Sequence, residues 1–233
     1  MNNRILYISL GLNIILSAWL IYFIVAPHIN FSATTETIDR KEVEPRKIFN
    51  DRLNEGDILF LGANRVHACD WNSLWGVRNI CNAAFPSNSI IADYNRLEIL
   101  LSGVVPNQIF IMHGETELLA NKPVNKIMED YKMLITKVKE LLPQTEVVVL
   151  SPVPLKYYDV GDNKIEFAEN FRNLGLMLKL VLQDMGVSYI NLESDFLGED
   201  KFLKANFNAK DKLAINAKAY EIIKDRMKPY ILN

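Results

Sequence analysis

The sequence predicts an α/β fold: a three-layer α/β/α sandwich around a parallel sheet of about five strands, preceded by one transmembrane helix. Three observations predict it. Short, nearly continuous apolar runs alternate with longer segments of helical period, the pattern of a parallel sheet covered on both faces. Several of these runs stop at glycine or at a small polar residue, where loops outside the strand ends begin. One uncharged run of 22 residues, Ile5 to Ala26, stands apart at the N-terminus.

That run exceeds the roughly 7–15 apolar residues of a secretory signal. It meets the roughly 20 residues that a bilayer core requires of a helix. The one candidate cleavage point, after Ala26, is followed by Pro27. Residues 1–27 therefore read as an uncleaved signal anchor. Arg4 precedes the span and the next basic residues are Arg40 and Lys41, so the positive-inside rule places the remainder on the extracytoplasmic side. Residues 28–54 read as a linker with a short helix, in which Pro45 suits a first turn and Ile48, Phe49 and Leu53 share one face.

From residue 55 to 233 the pattern is that of one domain. Strands are expected at Ile58–Leu61, Val77–Ala83, Gln108–Met112, Glu146–Leu150 and Val187–Leu192. Helices are expected at Ser89–Leu101, Val124–Leu142, Lys164–Met185 and Ile215–Met227. The second helix carries Ile127, Tyr131, Leu134, Ile135, Val138, Leu141 and Leu142 at the 3–4 spacing of an amphipathic helix. Gly186 stands where a C-terminal cap belongs. In such sheets the ligand crevice lies outside the carboxyl ends of the strands. Attention therefore goes to the residues after Gly62, Asn82, Gly114 and Ser151.

Composition narrows the function. A formal net charge of -2 lacks the basic excess of a nucleic-acid-binding surface. Cys69 and Cys81 have no metal-ligand spacing; they are either a bridge in an oxidising compartment or two unrelated buried thiols. No cofactor motif is present.

Three of these strand ends and the segment before the last helix carry a resemblance. Gly56 to Val66 (Gly-Asp-Ile-Leu-Phe-Leu-Gly-Ala-Asn-Arg-Val) resembles the first block of the SGNH, or GDSL-type, hydrolases, a strand leading into Gly-Asp-Ser. Asn82 to Ser89 resembles the second block, Gly114-Glu115-Thr116-Glu117 the third, and Asp211 to Tyr220 the last. The resemblance implies the family's fold over roughly residues 55–230. It also implies degenerate chemistry. Asn64 stands where the nucleophilic serine belongs, Ala84 where a glycine donates its N–H to the oxyanion, and Thr116 where an asparagine does so with its side chain. Asp211, Asn216 and Tyr220 match the last block, but Ala214 replaces the histidine base. The three histidines are His28, His67 and His113, so none lies late in the chain. A serine hydrolase needs a nucleophile, a base and oxyanion donors together.

The apolar run and the resemblance together lead to the expectation of a membrane-tethered, catalytically inactive protein that binds or assembles an envelope substrate such as an acylated polysaccharide. An envelope protein is the other partner considered, and no nucleic acid is expected. The alternative is an active esterase or acyltransferase with a rebuilt site around His67 and His113. The candidate pocket comprises Asn64, His67, His113, Glu115, Thr116, Glu117 and Asp211. Asp70 and Cys69 are near it in sequence, and no metal is expected. Ser89 reads as a helix cap. Trp71, Trp75, Tyr157 and Tyr158 fall in expected loops near the crevice, as loop anchors or as platforms for sugar rings.

Overall fold

The computed structural model describes residues 57–76, 79–211 and 213–231. The anchor and the linker with its short helix lie outside the described residues. Among the described residues no helix is long and apolar enough to cross a membrane.

Five strands form one sheet: β1 (Ile58–Gly62), β2 (Ile80–Asn82), β3 (Gln108–Met112), β4 (Glu146–Leu150) and β5 (Ser188–Ile190). Every pairing is parallel and the spatial order is β2-β1-β3-β4-β5. Four helices follow the periodic segments: α3 (Ile90–Leu100), α5 (Val124–Leu141), α6 (Lys164–Asp184) and α8 (Ala217–Met227). Four shorter ones fall at strand ends: α1 (Asn64–His67), α2 (Trp71–Trp75), α4 (Glu115–Leu119) and α7 (Glu193–Phe196).

The two-residue period of a strand sends alternate side chains to opposite faces. Leu59, Leu61, Ile109, Ile111, Val147 and Val149 join one core cluster, with Leu97 of α3, Leu134 and Ile135 of α5 and Leu174 and Leu178 of α6. Ile58, Phe60, Phe110, Met112, Val148 and Leu150 join the other, with Trp71 of α2 and Ile223 and Met227 of α8. Both faces are covered, so the strands carry no polar alternation. Each aliphatic side chain so buried contributes roughly 1.5–3 kcal/mol. Trp71 stacks on Phe60, centroids 4.4 Å apart, and is a core residue rather than a crevice platform.

The edge strand β2 is closed from outside. Asn72 of α2 donates to Ile80 O at 2.8 Å and accepts from Ile80 N at 3.1 Å, occupying the backbone groups that an exposed edge would offer to another chain.

The connection from β1 to β2 crosses one face, and the later crossovers use the other. The order therefore reverses between β1 and β3, which makes the gap beyond Gly62 and Met112 the topological switch point. Both glycines there are required. A Cβ on Gly62 would lie 2.5 Å from Val66 Cγ2 and 2.7 Å from Met112 O. Gly114 has φ +116°, and its Cβ would lie 2.7 Å from Leu174 Cδ2.

Candidate functional site at the switch point

The turn after β1 begins α1 with Asn64. Its side-chain amide is bonded at both ends: Oδ1 accepts from Ser87 N at 3.1 Å, and Nδ2 donates to Glu115 Oε1 at 3.2 Å. The first, second and third strand-end segments thus meet on one side chain. Ser87 holds φ +56°, a left-handed conformation uncommon outside glycine.

Arg65 lies beneath Asn64, fully buried. One guanidinium nitrogen is 3.2 Å from Glu115 Oε2 and also donates to Val153 O; another donates to Pro154 O at 2.9 Å. Burial lowers the Arg65 pKa from its ordinary value, against the opposing pull of Glu115. Tyr220 of α8 donates from its hydroxyl to Arg65 O at 2.9 Å, which fastens the terminal helix to this turn. Arg65 has no signature in the sequence, because the carbonyls it grips are 88 and 89 residues away.

The second segment is organised by Asn82. Its Nδ2 donates to Val66 O at 2.9 Å, and its Oδ1 accepts the Ala84 N–H at 3.2 Å. The backbone donor at the expected oxyanion position is therefore already engaged. His67 Nδ1 is 2.9 Å from Ala84 O, and the His67 side chain is exposed.

His113 behaves differently. It is buried, with Nε2 2.7 Å from Asp93 Oδ2. Asp93 in turn accepts from Asn88 Nδ2 at 2.8 Å and from Arg96 Nε at 2.7 Å. Burial opposes the imidazolium, but the hydrogen bond and charge of Asp93 outweigh it, and the His113 pKa is raised. Tyr131 clamps the backbone at the same residue, accepting from His113 N and donating to His113 O, each at 3.0 Å. One histidine of the expected pocket is thus at the surface and the other in the interior.

Glu117 satisfies helix starts. It accepts Ile90 N at 2.8 Å and Gly114 N at 3.1 Å, serving the otherwise unpaired donors of α3 and α4. Thr116 Oγ1 is buried without a partner among the described residues. Asp70 caps α2 by accepting Ser73 N at 3.1 Å, and Ser89 caps α3 by accepting Ala92 N at 3.1 Å. Cys69 and Cys81 are both buried and not joined by a disulfide, and burial, with Asp70 and Glu221 nearby, pushes the Cys69 pKa up to about 12. They pack in the two different core clusters. Among the described residues, no three His, Cys, Asp or Glu side chains are arranged to hold a metal ion.

The last segment is anchored from the loop after β4. Lys156 Nζ donates to Ala209 O at 2.9 Å and Asp211 O at 2.7 Å, and Asp159 Oδ2 accepts Leu213 N at 3.1 Å. Asp211 is exposed and Ala214 half-buried. Asn216 caps α8 by accepting Ala219 N at 3.2 Å.

No family model matches the sequence, and no curated protein matches it. Solved structures do match the fold. A Streptococcus pneumoniae protein provisionally described as a platelet activating factor aligns with TM-score 0.71 at 20% identity, covering 82% of this chain and 91% of its own. A GDSL-like lipase from Bacteroides thetaiotaomicron aligns with TM-score 0.60 at 14% identity, covering 75% and 86%. A variant of an acetyl-xylooligosaccharide esterase from Geobacillus stearothermophilus aligns with TM-score 0.60 at 11% identity, covering 78% and 97%. The strand order, the three strand-end segments that meet on Asn64 and these alignments agree: the domain has the fold of the GDSL-type SGNH hydrolases.

Proposed function

We propose that this is a membrane-tethered SGNH-fold protein without hydrolytic turnover, which binds or assembles an extracytoplasmic substrate of the acylated-polysaccharide class. The observation that carries the reading is the state of Asn64. At the position of the nucleophile stands an amide with its oxygen and its nitrogen both engaged. An amide is a poor nucleophile, Ala214 offers no base, and the Ala84 N–H is spent on Asn82. The substrate class is supported by the acetyl-xylooligosaccharide esterase among the fold's relatives. The tether is supported by the apolar run Ile5 to Ala26.

The second reading, an esterase or acyltransferase with a rebuilt site, is favoured by His67. Its Nδ1 is bonded to Ala84 O on an exposed side chain, which leaves Nε2 as the ring nitrogen able to act as a base. His113 is excluded from contact with a surface substrate by its burial against Asp93.

The test is ester hydrolysis by the full chain in detergent, using short acyl esters. No turnover above background is expected from the wild type, from Asn64→Ser or from Ala214→His. Only the double change has both nucleophile and base, and catalytic units are strongly non-additive. Turnover by the wild type that disappears in His67→Ala would replace this reading with the second. A reporter fused after Asn233 is expected to be exported with the N-terminal span retained; a mature chain beginning after Ala26 would remove the tether.

A further inference from the structure

We infer that a cavity beneath the switch point is a binding site for one structural water, which joins Arg65 Nε to His113 Nδ1. The cavity is lined by Arg65, His113, Glu115, Met112 and Val153 among others, and its volume is about 10 Å³. That is about the lower bound for one water, and too small for a larger ion or an organic ligand.

The wall of the cavity supplies the chemistry. Arg65 Nε and His113 Nδ1 are buried and have no partner among the described residues. The other nitrogens of both side chains are committed. The Arg65 terminal nitrogens serve Val153 O, Pro154 O and Glu115, and His113 Nε2 serves Asp93. Unmade hydrogen bonds in the interior are costly, and buried waters occur where such groups converge on a space of this size. Arg65 Nε is always a donor, whereas His113 Nδ1 accepts in the neutral ring with Nε2–H and donates in the charged ring. Water accepts from Arg65 and either donates to or accepts from His113, so it serves both states. A cation is excluded by the guanidinium.

The consequence concerns connectivity. Asn64, Glu115, Arg65 and Tyr220 form one polar network; Asn88, Asp93, Arg96 and His113 form another. The water fuses them into a single network running from α3 to α8. This inference is independent of the tether and of catalytic activity.

The test uses the full chain in detergent and its variants Arg65→Lys, His113→Gln and the pair. Lysine keeps the charge but has no Nε. Glutamine reaches Asp93 but has no atom at Nδ1. Oxygen-17 magnetic relaxation dispersion counts long-lived internal waters. One fewer is expected in each variant, together with a non-additivity of about threefold or more in the unfolding equilibrium constant of the double. An unchanged water count in His113→Gln overturns the inference, whatever the coupling. If that variant does not fold, His113→Phe, which fills the space, must show the same loss of one water, and an unchanged count there overturns it equally.

Discussion

Asn64 and Arg65 are adjacent in sequence, yet only the first has a meaning legible in the sequence alone. Asn64 stands out because it occupies a position where a known pattern has serine. Arg65 does not, because its meaning depends on Glu115 and on carbonyls of Val153 and Pro154, contacts that no local spacing encodes. The sequence places Glu115 and Glu117 together in the candidate pocket. The structure uses Glu115 as the counter-charge of Arg65 and Glu117 as a double helix cap. A glutamate at the third position of a helix start signals the local half of that role, the bond to Gly114 N, whereas the bond to Ile90 N spans 27 residues. The Arg65–Glu115 pair gives a prediction at this scale. Their side chains are 1% and 7% exposed, so neither charge is solvated by bulk water. Breaking a buried pair by removing one partner costs about 3–5 kcal/mol. Glu115→Gln is therefore expected to lower unfolding free energy by about that amount in urea titration. Asn64→Ala, which loses one neutral contact and one to the Glu115 carboxylate at a half-buried site, is expected to cost less, about 2 kcal/mol. Equal losses in the two variants would show that Arg65 is held by its carbonyls alone.

Elements differ in how well the sequence announced them. β1, β3 and β4 are found within a residue of their expected bounds, because four consecutive buried apolar residues in each leave little choice. β5 is shorter than expected, three residues, and β2 occupies Ile80–Asn82 within its expected span. α1, α2 and α4 have four or five residues each, too few for a helical period to be read. They matter more than their length suggests, since they place Asn64, Trp71 and Glu115. Gly62 fixes how closely α1 returns over β3. Its virtual Cβ meets a backbone oxygen of Met112 at 2.7 Å, and no rotamer change relieves a backbone contact. Gly62→Ala is expected to destabilise the domain by roughly 1–3 kcal/mol, the range for overpacking a tight site. It should also shift backbone amide resonances of Asn64 and Met112. Wild-type stability in Gly62→Ala would mean that this turn yields easily.

At the scale of the molecule, the alternation of strands and helices made the layers and the crevice edge legible. The polar interior under the crevice was not, because it joins residues on five separate segments. That interior makes stability depend on pH, and the sign follows from the two groups at its centre. Asp93 is desolvated, but the hydrogen bond and charge of His113, then Arg96 and Asn88, outweigh the cost and lower its pKa from the ordinary 3.8. Its contribution is present above that value and is lost as pH falls through the lower folded value. His113 is also desolvated, yet Asp93 raises its pKa above the ordinary 6.5. Its contribution is fully present below 6.5 and is lost as pH rises through the higher folded value. The network is therefore at full strength between the ordinary carboxylate and imidazole values and weakens on the alkaline side first. Thermal unfolding of the full chain, followed from about pH 5 to about pH 9, is expected to show a midpoint that falls as the solution becomes alkaline. In His113→Gln the Asp93 contact persists without a titrating ring, so that alkaline fall should be absent although the midpoint is lower throughout. An identical alkaline slope in both proteins would place the proton loss elsewhere and leave His113 neutral in the fold.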